Sequence, residues 1–200
     1  MISNCTFCNI DITKIENTII EETKYFYVTP SIGSIVNGYL LIISKRHINS
    51  MSELNKEELQ EYEQLIEKYR RLFKSIYQKY PIIFEHGTPN LEDNIKASSV
   101  THAHTHIVNH NYKNEDLVLN KLNFKKIKSL GELNSDKNYI FYINQSNDIY
   151  VTNNFKPISQ MMRIIIADDL DIRNKYDWRQ NSFENNVVLT INNIKEYYNN

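Results

Sequence analysis

Across residues 55–80 apolar and aromatic side chains return every three or four positions: Leu59, Tyr62, Leu65, Ile66, Tyr69, Phe73, Ile76, Tyr77 and Tyr80. That period predicts one long amphipathic helix with its tyrosines in the core. Asn55 with Glu58 three residues on suits an N-terminal cap, Glu57, Glu58 and Glu61 suit the positive end of the helix, and Arg70, Arg71, Lys74 and Lys79 suit the negative end. Pro81 is expected to stop it. Elsewhere the pattern shortens to that of strands: residues 17–22 and 24–29 around a tight turn, the nearly unbroken apolar run 38–44 that predicts a central strand, and residues 82–87. A loop over 88–97 leads to His102, His104 and His106, which alternate with Ala103, Thr105 and Ile107. The two-residue period of a strand would send the three imidazoles to one face and the three packing residues to the other.

The second half carries weaker patterns. Residues 116–130 read as a modest helix ending in Lys125, Lys126 and Lys128, a patch that with Lys121 is expected to be a solvated face. Residues 139–143 and 149–152 read as a hairpin turning at Ser146, Asn147 and Asp148. Pro157 is expected to open a helix with Ile158, Met161, Met162, Ile165 and Ile166 on one face, and residues 183–198 form a last helix capped by Ser182. No Gly-, Ser- or Pro-rich linker intervenes. The expected organisation is therefore a domain over residues 1–112 and an extension over 113–200 packed on it.

Composition narrows the function. With 200 residues, 41% hydrophobic and 24% charged, the chain has the make-up of one ordinary globular domain, or of one domain plus an appendage. A formal net charge of −1 gives no overall field to attract nucleic acid or an anionic membrane, so an anion must be held locally. No apolar run is long enough to span a membrane and no basic-then-apolar leader opens the chain, so a cytoplasmic location is expected. In a reducing compartment Cys5 and Cys8 are metal ligands or free thiols rather than a disulfide. A Cys-x-x-Cys knuckle is half of a four-ligand zinc site, and histidines would have to supply the rest.

Imidazoles are rarely set in a row for stability alone, since each buried ring needs partners for its nitrogens. Three together point to a metal site, or to a nucleophile flanked by groups that orient it and hold an anion. His102 to Val108 fit the signature of the histidine-triad (HIT) superfamily, which the chain resembles from Cys5 to about Asn109. The 38–44 strand resembles that superfamily's Gly-His-Leu-Val-Ile-Pro-Lys strand, with Tyr39 in place of the His and Ser44 in place of the Pro. His86-Gly87 stand where many members have Asn-Gly, Ser98 where many have Gln, and Asn109-His110 where Pro-Arg is common. No carboxylate lies within residues 28–36, where members often place a ribose-binding Asp. Ser159 to Arg163 and Tyr176 to Arg179 resemble tail segments of bacterial HIT-like and eukaryotic splicing-related relatives.

The resemblance implies an α+β fold, an antiparallel sheet with the long helix packed on it, followed here by an α/β extension. It implies a structural zinc held by Cys5, Cys8, His47 and His102. It assigns His104 as the nucleophile that attacks the α-phosphorus of a nucleotide, His106 as donor to the non-bridging oxygens, and Ser99 as the contact to the leaving oxygen. Ser98 would add a backbone amide, His86 a further site contact, and Gln160 a phosphate contact in place of the missing Gln. Arg163 and Arg179 read either as ordinary surface arginines or as guanidinium forks on a phosphate chain. The implied activity is a nucleotide hydrolase that releases AMP from a dinucleoside polyphosphate or nucleotide conjugate through a nucleotidyl-histidine, with a homodimer as the usual assembly. The rivals are a nucleotidyltransferase or phosphorylase with the same chemistry, and a nucleotide-binding protein with negligible turnover. Deadenylation of nucleic-acid ends ranks below these because no strongly basic surface is evident.

Overall fold

The computed structural model describes residues 5–89, 100–155 and 158–199. Among them, eight strands form one antiparallel sheet: β1 (Glu21–Glu22), β2 (Phe26–Pro30), β3 (Tyr39–Ser44), β4 (Ile82–Gly87), β5 (His104–Val108), β6 (Lys125–Ile127), β7 (Tyr139–Ile143) and β8 (Ile149–Thr152). Their order across the sheet is β1-β2-β3-β5-β4-β7-β8-β6. The helices are α1 (Lys56–Tyr77), α2 (Glu115–Lys121), α3 (Met161–Asp169) and α4 (Glu184–Asn199). The class is α+β, as expected. No helix among the described residues is long and apolar enough to cross a membrane.

The long helix begins where its sequence predicts. The Asn55 side chain accepts from the amides of Glu57 and Glu58, and the Glu58 carboxylate accepts from the Asn55 amide, which closes a capping box. Its end differs from expectation. The helix stops at Tyr77 because Gln78 adopts a left-handed conformation (φ 60°), three residues short of Pro81. Tyr62, Leu65, Ile66, Tyr69, Leu72 and Phe73 are buried against Val28, Leu40, Ile42, Ile83 and Ile107 of the sheet. Burial of each such large apolar side chain is worth about 1.5–3 kcal/mol.

Strand alternation makes the sheet two-sided. Leu40 and Ile42 face α1, whereas Tyr39, Leu41 and Ile43 face the opposite layer, where Met162, Ile166 and Ala167 of α3 and Val118 of α2 pack. β3 is buried along its whole length, as its apolar run predicts. The first predicted hairpin is shorter than its sequence suggests, with a 3₁₀ turn over Ile15–Asn17 and pairing confined to Glu21–Glu22 against Tyr27 and Val28.

The second half extends the same sheet. β7 pairs with β4 over five residues and forms the expected hairpin with β8, turning at Asn147 (φ 69°). Arg70 of α1 ties that turn down by donating to the carbonyls of Asn144 and Gln145. The helix expected over 116–130 is instead α2 followed by strand β6. Asn123 takes a left-handed conformation (φ 53°) that ends the helix, and Lys125–Ile127 pair with β8 as a basic sheet edge. The helix expected to open at Pro157, which lies outside the described residues, begins at Met161. Gln160 is left-handed (φ 62°), and Ile158 is exposed rather than part of the buried face. In the last helix, Thr190 accepts from the Gly38 amide and Asn186 donates to the carbonyls of Ser34 and Ile35. α4 thereby holds the loop between β2 and β3, which borders the site.

Candidate active site and metal centre

The three histidines divide into two spatial groups. His104 and His106 lie within β5 opposite Ile43 and Leu41 of β3, and so face away from α1. Thr105 and Ile107 face α1, where Thr105 meets the Tyr62 hydroxyl. His102 lies before β5 begins, with its ring Nδ1 3.3 Å from Cys5 Sγ.

His104 and His106 line a cavity together with His86 at the end of β4 and with Gln160 and Arg163 from the start of α3. The His104 Nδ1–H donates to the His102 carbonyl (2.7 Å), which leaves Nε2 as the lone-pair nitrogen. Burial pushes the His104 pKa down to about 4, with that hydrogen bond opposing the shift. His106 stacks on Phe84, ring centroids 4.6 Å apart, and its Nδ1 lies 3.0 Å from the Tyr39 hydroxyl. Its pKa is held well below the usual histidine range, first by burial and then by His104, His86 and Arg163. His86 is pushed down to about 3 by burial and by His104, and its Nε2 is buried without a partner among the described residues. All three rings are therefore neutral near pH 7.

Both tail residues expected at the site are there, each already engaged. Gln160 donates to Asp177 Oδ1 (2.9 Å) and accepts from the Trp178 amide. Arg163 donates to the carbonyls of Gly33 (2.7 Å) and Tyr176 (3.1 Å) and lies 5.7 Å from the centre of the Tyr39 ring. Arg179 is an exposed arginine over the Trp178 ring and close to Asp177. Ser98 and Ser99 lie outside the described residues.

Sequence reasoning missed four residues here. Tyr39 is wholly buried against His106, although its departure from the usual His was visible. Phe7, inside the Cys-x-x-Cys knuckle, stands edge-on to His104 (5.1 Å) and His102 (5.8 Å). Glu16, on the 3₁₀ turn, supplies the cavity with a carboxylate that residues 28–36 lack. Trp178 borders the cavity from the second half of the chain. For Glu16 no local signal existed, because only the fold brings residue 16 beside β2.

Cys5, Cys8, His47 and His102 form a second cluster, their ligand atoms all within 4.8 Å of one another. Cys8 Sγ lies 3.2 Å from His47 Nδ1 and 3.6 Å from His102 Nδ1. The His102 Nε2–H donates to the Ser44 carbonyl (2.7 Å), so Nδ1 presents its lone pair to the cluster. Two thiols and two imidazoles at these separations can hold a metal ion, and the donors fit a tetrahedral site.

The profile of the family described as scavenger mRNA decapping enzyme C-term binding matches residues 4–122. The chain belongs to this family, and through it to the histidine-triad superfamily. The histidine-triad portion covers the metal cluster, the triad and α2, while α3 and Trp178 lie beyond the match. The protein named hit of Bacillus subtilis (strain 168) is 26% identical over 105 residues, which is 52% of this chain and 70% of that protein. Among solved structures, a hypothetical protein from Leishmania major aligns at 22% identity and a TM-score of 0.45, over 57% of this chain and 78% of its own. A HIT family hydrolase from Clostridium thermocellum aligns at 20% identity and 0.41, over 57% and 96%.

Proposed function

We propose that this histidine-triad protein is a nucleotide hydrolase that works through a nucleotidyl-histidine on His104 and releases AMP from a dinucleoside polyphosphate or nucleotide conjugate. The observation that carries the reading is the hydrogen bond from His104 Nδ1 to the His102 carbonyl, which fixes a neutral ring with a nucleophilic Nε2 in the cavity.

In the first step His104 Nε2 forms a bond to the α-phosphorus as the bond to the bridging oxygen breaks, and that oxygen leaves with the rest of the substrate. In the second, water attacks the same phosphorus, the N–P bond breaks, and AMP departs with the water oxygen. His106 stabilises the charge that develops on the non-bridging oxygens. Tyr39 sets it up for this role. The Tyr39 hydroxyl, 3.0 Å away, donates its proton to His106 Nδ1 in this reading, so the His106 proton sits on Nε2 as a donor. His86 Nε2 supplies a further contact.

Zinc is the proposed metal of the Cys5, Cys8, His47 and His102 cluster, and when bound it supplies a structural constraint on the strand leading into β5. Membership of the scavenger decapping family makes cap-like dinucleotides one class to include among substrates. Product analysis after incubation with diadenosine polyphosphates, cap dinucleotides and adenylylated small molecules tests the reading. AMP or its cap counterpart released by wild type and not by His104→Ala supports it. Equal release by both proteins, or release by neither, contradicts it.

A further inference from the structure

The second half of the chain does more than cover the sheet. Trp178, the single tryptophan of the sequence, borders the same cavity as His104 and His106 although it lies beyond the residues matched by the family. Its position is fixed from several sides. Gln160 accepts from its amide, and Arg179 stands over its ring at 5.7 Å from the centroid. Gly33 gives it room: a Cβ added there would lie 2.5 Å from the Trp178 Cβ and 2.9 Å from its Cα, and the φ of 67° at Gly33 is one that side chains disfavour. Arg163 closes the same seam by donating to the Gly33 carbonyl and to that of Tyr176. The loop between β2 and β3 and the segment around Trp178 thus form one wall. Other apolar side chains on the cavity include Phe7, Ile32 and Leu41.

An indole on a firmly held backbone beside apolar walls, lining the cavity that holds the nucleophile, suits a flat, uncharged, aromatic group far better than a phosphate. From this placement we infer that Trp178 is the base-stacking and specificity-determining wall of the pocket, which selects nucleotides carrying an aromatic base over base-free sugar phosphates. The inference rests on the nucleotide reading above and adds to it a role for the C-terminal segment.

Because the chain has one tryptophan, its emission reports the wall directly. Titration of the full-length wild-type protein with AMP and with ribose 5-phosphate, followed by tryptophan emission and by calorimetry, separates base from sugar phosphate. The expected result is saturable quenching by AMP and none by ribose 5-phosphate. Trp178→Ala should weaken AMP binding by about 5- to 150-fold, the range that follows from base–aromatic stacking, and leave ribose 5-phosphate binding unchanged. Trp178→Phe should restore most of the AMP affinity. AMP binding by calorimetry without an emission change, together with an undiminished preference for AMP in Trp178→Ala, overturns the inference while AMP release in the turnover assay keeps the nucleotide reading intact. Failure of wild type to bind any nucleotide by either readout overturns both.

Discussion

Replacing Tyr39 by Phe tests how the triad is set for chemistry, because it deletes one oxygen and leaves the shape of the core intact. The Tyr39 ring is fully buried and its hydroxyl lies 3.0 Å from His106 Nδ1. Without that hydroxyl, a buried ring nitrogen loses its partner at a cost of about 1–3 kcal/mol. Two consequences follow. The fold loses a comparable amount of stability, since the His106 ring stays buried. His106 also loses the bias that keeps its proton on Nε2, so the donor aimed at the phosphate is present in only part of the population. At about 1.4 kcal/mol per tenfold, the same 1–3 kcal/mol lowers kcat by about 5- to 150-fold. KM for a dinucleoside polyphosphate should change little, because the donor matters most as charge develops on the phosphate oxygens. Steady-state AMP release measures the rate, and nitrogen NMR of the histidine rings reads the tautomer. A Tyr39→Phe enzyme with wild-type kcat, or a wild-type His106 that carries its proton on Nδ1, would rule out this role for Tyr39.

Two further perturbations address other parts of the molecule. Metal analysis of purified protein should find about one zinc per chain, and Cys5→Ser or His47→Ala should abolish it, lower the melting temperature, and slow AMP release because Phe7 is no longer held against His104; full zinc occupancy in either variant would count against the cluster. Glu85 is buried and accepts from the Met51 amide and the Tyr139 hydroxyl, and burial raises its carboxyl to about 8 from an ordinary 4.5. A pKa raised by folding means that the folded state binds the extra proton: the stabilisation is complete below 4.5 and is lost as pH rises through 8, by at most about 5 kcal/mol. Urea denaturation from about pH 5 to about pH 9 should therefore show falling stability that Glu85→Gln flattens, and equal slopes for the two proteins would show the carboxyl to be ionised throughout.

What could be read from the sequence was whatever local period dictates. The capping box at Asn55, the buried face of α1, the apolar strand β3 and the opposed facing of His104 and Thr105 all follow from spacing along one element. What escaped depends on residues that break the local rule or meet only through the fold. Asn123 and Gln160 adopt left-handed conformations that no glycine announces, so α2 ends early, β6 follows where the pattern suggests more helix, and α3 begins only at Met161. The same limit hid Glu16 and Trp178: each reaches the cavity from an element far from β5 in sequence. Tyr39 was visible as a departure from the superfamily pattern, but its partner on His106 became apparent only when β3 and β5 were paired. The candidate ligands Cys5, Cys8, His47 and His102 could be named in advance, while the hydrogen bond to Ser44 that orients His102 could not.

Whether His104 Nε2 is the nucleophile can be read from the intact mass of protein quenched during turnover of a diadenosine polyphosphate. The expected result is an adduct of one adenylyl group on wild type, mapped by fragmentation to His104, and none on His104→Ala. An adduct on another residue, or steady AMP release from His104→Ala, would contradict it.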